Sequence, residues 1–142
     1  MENKIAVVTG IIGAVVSYMF NLVGVAVTIL FAFMVLDLFT DLLADIKNNE
    51  FNKLRLKQEL IIKFYVLLMI GGVYLIDYSI FYYTHMDIFG GNIGTGAAFA
   101  YIAIEFISIV DNGIRMNAPI SPYIQNIVNI IKEKSGLKGD EK

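Results

Sequence analysis

Long apolar blocks alternate with short polar connections along this chain. The first block, Ile5 to Leu43, is about twice the roughly 20 residues that one membrane-crossing helix needs. The stretch "FNLVG", with Asn21 and Gly24, is its natural break and divides it into helices over about 5–20 and 22–46. A polar, basic connection follows at 47–58, "KNNEFNKLRLKQ". The next block, "ELIIKFYVLLMIGGVYLIDYSIF", predicts a helix over 59–81, and "TGAAFAYIAIEFISIVDNGIRM" predicts another over 95–116. Between them, "YYTHMDIFGGNIG" has the tyrosines of an interfacial belt. After "NAPISP", Ser121 is suited to cap a helix and Pro122 to occupy its first position. Ile120, Ile124, Ile127, Val128 and Ile131 then recur at helical spacing, opposite Gln125, Asn129, Lys132 and Glu133. This predicts an amphipathic helix over 121–134, too short and polar to span. It can lie on the membrane surface or pack on a partner helix, with a flexible tail at 135–142.

Composition decides what the blocks mean. The 142 residues are 57% hydrophobic, with a mean hydropathy of +0.67, whereas a soluble domain is about 45–50% apolar. A core this small cannot hide the excess. The fold class is therefore an all-α integral membrane protein, a single domain over 1–142 with three or four transmembrane helices and a C-terminal surface helix. The start, "MENKIAVVTGIIGAVVSYMF", has a weak basic region and no polar segment after its apolar run, so it reads as retained rather than as a cleaved signal. If helix 5–20 spans, there are four crossings; if it lies in the interface, there are three.

Charge gives orientation. Lys47, Lys53, Arg55 and Lys57 crowd the first connection, while 83–94 has no lysine or arginine. The positive-inside rule places the first connection and the basic C-terminus in the cytoplasm, so the expected location is the bacterial cytoplasmic membrane. With no cysteine there is neither a disulfide nor a thiolate metal site, and the single His85 excludes a clustered-histidine site. The sequence has no phosphate loop, no nucleophile–base set and no basic stripe interleaved with aromatics. No catalytic residue, metal, cofactor or nucleic-acid partner is expected; the expected partners are the lipid bilayer and further copies of the chain. Small-residue faces for close helix packing are predicted at Thr9, Gly13 and Ser17, at Gly10 with Ala14, and at Gly96, Ala97, Ala100 and Ala103.

The candidate functional residues are the charges inside the apolar blocks. In "MVLDLFTDLLADIK", Asp37, Asp41 and Asp45 fall four apart and stack on one helix face. Each buried charge costs about 2.5–3.5 kcal/mol at a helix centre, so such residues are functional candidates. Asp45 lies at the interface and Asp41 about one turn deeper. At a rise of about 1.5 Å per residue, Asp37 is about 15 Å from Lys47, Glu105 about 15 Å from Arg115, and Lys63 about 9 Å from Lys57. These depths predict an Asp41–Lys63 ion pair. They leave Asp37 and Glu105 without a basic partner in the chain, facing either a subunit interface or an aqueous lumen. The alternative is a neutral carboxyl inside the bundle, hydrogen-bonded to Ser108, Thr40 or a tyrosine.

The segments "DLFTDLLADIKNNEFN", "LKQELIIK" and "EFISIVDNGIRMNAPISPYI" together resemble the phage holin family shared by clostridial toxin-secretion holins and several Gram-positive phage lysis holins. Asp37, Thr40 and Ala44 match its first motif, with Asp41 where a glycine is usual. Lys63 matches the lysine that enters the next span. Glu105, Ser108, Ile109, Asp111 and Asn112 match the last element, with Asp111 replacing a second glutamate, and Pro119 or Pro122 matches a downstream proline. The resemblance covers about residues 30 to 125. It implies a small membrane protein that oligomerises and opens lesions through which an endolysin or a large protein toxin leaves the cell. A small ion or proton conductor and a structural membrane subunit are the rival readings.

Overall fold

The computed structural model describes residues 2–85 and 93–136, with only the helical backbone described at 2–4, 6, 15–23 and 135. Four helices make up the described chain: α1 (Glu2–Asn48), α2 (Lys53–Thr84), α3 (Ile93–Arg115) and α4 (Pro122–Ser135). α1 is interrupted at Gly24, whose φ of 81° and ψ of 167° are non-helical. That backbone region is essentially reserved for glycine, which is why the break falls at this position of "FNLVG". Among the described residues, Gly24–Asn48, α2 and α3 are long and apolar enough to cross a membrane, so the chain is an all-α membrane protein.

α2 begins at Lys53, six residues before the sequence-based boundary at Glu59. Asn52 sets the start, its side-chain oxygen accepting from the N–H groups of Leu54 at 2.9 Å and Arg55 at 3.4 Å. The polar stretch expected to be a connection is instead the first turns of the helix. At 32 residues, α2 is about 48 Å long and exceeds the roughly 30 Å hydrocarbon layer. Its first turns carry Lys53, Arg55 and Lys57 at one end. At the other, Tyr82 stacks on Tyr78 and meets Tyr83 edge-on, and His85 closes the helix with φ 50°, its N–H donating to the Phe81 carbonyl.

α3 is the central element, with α1 packed along it, α2 against it over a shorter length and α4 across its last turns. Leu30, Ile70, Met34, Ala26 and Ala98 form the apolar core. Ile70 is the one buried residue among the described residues of α2; Phe64, Leu68, Leu75 and Ile76 point outward, as lipid permits and water does not. At the outer end, Gly94 of α3 lies against the Tyr74 ring, where a Cβ would come within 2.8 Å. The Gly94 N–H donates to Asp77 at 3.3 Å, which satisfies an amide at the start of α3, and the Tyr74 and Thr95 hydroxyls meet at 3.2 Å.

α4 is capped by Ser121, which accepts from the Tyr123 N–H, and Pro122 opens it. Of the two placements open to it, its apolar face takes the partner helix. Val128, Ile120, Ile124 and Ile131 pack on Phe106, Ile107 and Val110 of α3, and Ile120 lies over Gly113 so closely that a Cβ there would be 2.8 Å away. The end of the expected tail, 137–142, and most of the Tyr/Gly/Asn-rich stretch, 86–92, lie outside the described residues.

The α2–α3 contact gives a paired prediction. Gly94→Ala drives a methyl into the Tyr74 ring and is expected to cost about 1–3 kcal/mol. Gly71→Ala, with nothing within 4 Å, is expected to be neutral. Thermal denaturation of the detergent-solubilised variants compares the two, and equal melting temperatures would contradict the packing at Gly94.

Candidate functional site: a polar seam between the helices

Most of the ionisable residues within the spans do not face outward. They converge on a seam between α1, α2 and α3. One face of α1 supplies Asp37, Asp41 and Asp45, all buried, with Ala44 fully buried beside them. α3 supplies Glu105, Asn112 and Arg115, and α2 supplies Arg55, Glu59 and Lys63.

The deeper tier centres on Lys63. Its ammonium donates to Asp37 at 2.8 Å and also to the Glu105 carboxylate. The other oxygen of Asp37 accepts from the Asn112 amide at 3.1 Å. That amide also donates to the Thr40 hydroxyl at 3.2 Å, which in turn donates to the Asp37 carbonyl at 3.0 Å. Asp37 and Glu105 are 6% and 7% exposed, so the shared cation and these hydrogen bonds stand in for the water they lack.

The tier nearer the α1–α2 turn centres on two guanidinium groups. Arg115 reaches Asp41 at 2.7 Å, Asp45 at 2.6 Å and Glu50 at 3.4 Å. Arg55 reaches Asp41 at 2.6 Å, Asp45 at 3.2 Å and Glu59 at 3.3 Å. Planar multi-donor arginine suits this bridging role. The in-line repulsion of the aspartates is thus answered by cations from both neighbouring helices. Nearby, Lys47 donates to the Met116 carbonyl and Asn48 to the Arg115 carbonyl, closing carbonyls left open at the end of α3.

Two expectations are corrected. Lys63 does not pair with Asp41; it pairs with Asp37 and Glu105, which therefore do have a basic partner within the chain and sit inside it rather than on an outer face. The error lay in the depth reference. Counted from Lys57, Lys63 is shallow. Counted from Lys53, where α2 begins, it is ten residues in, about 15 Å, level with both carboxylates. Its side chain is only 13% exposed, so it does not reach back to the interface. The roles of Arg55 and Arg115 were missed because both stand at helix ends and look like ordinary boundary charges. The spacing of Arg115 after Asn112, on the helix face that carries Glu105, was the available signal.

Of the motif residues, Thr40 and Asn112 belong to the seam. Asp111 faces α4, where Lys132 donates to both its oxygens at 2.8 and 2.9 Å. Ser108 is half-buried on α3, and Pro119 is exposed in the α3–α4 link. Among the described residues, the small-residue faces are largely unfilled. Gly10, Gly13 and Gly96 have nothing within 4 Å of an added Cβ, Ala100 is exposed, and the Ser17 side chain lies outside the described residues. Close packing falls instead on Ala44, Ala98, Gly94 and Gly113. Such a seam holds ionisable side chains from three helices in fixed positions through shared cations.

The bacteriophage holin family matches residues 14–133, a range that includes every residue of the seam and nearly all of α4, and the chain belongs to that family. No curated protein and no solved structure matches it. Family and architecture together make this a holin-type, multi-pass protein of the cytoplasmic membrane.

Lys63→Met removes the one cation of the deeper tier and is expected to destabilise the chain by about 3–5 kcal/mol, because two carboxylates remain buried without it. Adding Asp37→Asn and Glu105→Gln to the same chain is expected to recover most of that loss. Melting of the solubilised proteins measures both; an unchanged melting temperature for Lys63→Met alone would count against the ion triad.

Proposed function

We propose that many copies of this chain assemble in the cytoplasmic membrane into a pore wide enough to release a folded protein, either an endolysin or a large protein toxin. Membership of the holin family over residues 14–133 carries this reading. Geometry supports it in three ways. Three spans around one packed seam are too few to enclose a protein-sized channel, so the pore requires many copies. The unfilled small-residue positions Gly10, Gly13, Gly96 and Ala100 leave room for a second copy's backbone to come close. The outer face of α2 is apolar, so the polar lining that water in a lumen requires is drawn from the seam, with Asp37, Glu105, Asp41 and Lys63 as its members.

The basic turn after α1 and the basic end of the chain support a topology in which the α1–α2 turn, α4 and the C-terminus are cytoplasmic. Cargo recognition is not needed for such a lesion: width alone admits a protein. The toxin-secretion form rests on the resemblance of the three motif segments. A proton or small-ion conductor is disfavoured by Lys63, which holds Asp37 and Glu105 in place rather than leaving them free to relay charge.

The test is release from bacterial cells that carry a cytoplasmic endolysin-sized reporter protein and a small dye. Both are expected to leave after induction, and cross-linked membranes are expected to show a large oligomer. Leakage of dye alone would overturn protein export, and a monomer under all conditions would remove the pore. Asp37→Asn and Glu105→Gln are expected to change both oligomer size and release; if neither changes, these residues have no part in interface or lumen.

A further inference from the structure

We propose that the assembly is built by exchange of α1: the Gly24–Asn48 span of one copy takes, in the neighbouring copy, the place beside α3 that it holds in its own. Asp37 of one chain then shares the Lys63 ammonium of the next with that chain's Glu105. The inference rests on the oligomeric reading above and names its contact.

Three observations carry it. First, α1 and α2 are joined by only four residues, 49–52, all exposed, with Asn49 in the left-handed region at φ 57°. The turn is held by local bonds, Asn49 N–H to the Ile46 carbonyl at 3.3 Å and Glu50 N–H to the Asp45 carbonyl at 2.9 Å. Short hinge turns with an unfavourable backbone conformation invite exchange between copies. Second, although consecutive in sequence, α1 and α2 make little close backbone contact and share only the apolar cluster around Leu30 and Ile70. Each packs on α3, and α1 meets α2 through the long side chains of Arg55 and Lys63. No extensive backbone contact between them selects a chain's own α1 over another's; only the turn does.

Third, the docking faces are complementary in charge. α1 presents Asp37, Asp41 and Asp45, and α2 with α3 present Lys63, Arg55 and Arg115. Every copy carries the same two faces, and charges left unpaired in lipid are costly, so an α1 that leaves its own α3 has one good destination. Exchange preserves the ion pairs of Asp37, Asp41 and Asp45. Head-to-tail donation, each copy giving its α1 to the next, also propagates into a ring or chain of many copies, which a reciprocal dimer does not.

Two experiments test the exchange. The chain has no cysteine, so introduced thiols report cleanly. Lys47 at the end of α1 is exposed and reaches the Met116 carbonyl just after α3. Lys47→Cys and Met116→Cys are placed in two differently tagged chains, co-expressed, and treated in membranes with a short bis-maleimide, which needs thiols that water can reach. Cross-links between the two tags are expected; cross-links confined to a single chain that carries both substitutions would overturn the proposal. The second experiment mixes charge variants. Lys63→Glu alone gathers three carboxylates, and Asp37→Lys alone gathers two cations, so each is expected to fall about tenfold or more in membrane-inserted protein and in release. Co-expression restores one cation between two carboxylates at every site, but only when α1 crosses between copies. The chain bearing both substitutions serves as the positive control, since it has that set with or without exchange. No recovery in the mixture, with a functional control, overturns the proposal. Wild-type release without inter-chain cross-links or complementation leaves the pore reading intact and removes the exchange. Inter-chain cross-links without release support the exchange and remove protein export.

Discussion

The fold depends on one ammonium group shared by two carboxylates deep in the spans. Lys63 of α2 meets Asp37 of α1 and Glu105 of α3, and no other residue in the deeper tier touches all three helices by ion pairing. In lipid, the apolar effect that gathers helices in water is nearly absent. What makes three apolar helices choose each other is the cost of leaving these groups unpartnered. Replacing one member alone removes the partner of the others, so the tier acts as a unit rather than as two separate bonds.

This constraint explains an otherwise odd distribution of burial. α2 has one buried residue and a surface of exposed phenylalanine, leucine and isoleucine. In water such a helix would fail. In a bilayer its outer face is solvated and its inner face needs only the cations at 55 and 63 with the short apolar patch around Ile70. α1 and α3 carry the denser packing, including the Phe33–Phe106 edge contact with ring centroids 6.5 Å apart. Specific pairing is therefore divided: apolar fit sets α1 on α3, and charge sets α2 on both.

The helical blocks, the break near Gly24 and the amphipathic face of α4 were all legible in the sequence, because each rests on local chemistry: hydropathy over a span, a backbone only glycine adopts, a period of 3.6 residues. That Asp37 and Glu105 stand level with each other was legible too, since both were counted from charges that do stand at helix ends. Lys63 was misplaced because the polar run before it looked like a loop, and its capping residue, Asn52, is one of three asparagines in five positions. The bridging arginines could not be read, because a terminal arginine declares nothing about which neighbouring helix it leans toward. The tight positions Gly94 and Gly113 were hidden by more conspicuous glycines that turned out to be open.

The same charges constrain how a pore can form. Separating α2 from α1 and α3 by a small distance would expose Asp37, Lys63 and Glu105 to hydrocarbon, at a cost of several kcal/mol for each group. Intermediate openings are therefore disfavoured. The seam is stable when closed on itself, when met by the matching face of another copy, or when wet. One oxygen of Glu59 is buried in it without a hydrogen-bond partner, a group that water would satisfy. A protein built this way passes between discrete arrangements rather than loosening gradually. Membrane-buried charges thus supply both the cohesion of the single chain and the condition under which it gives that arrangement up.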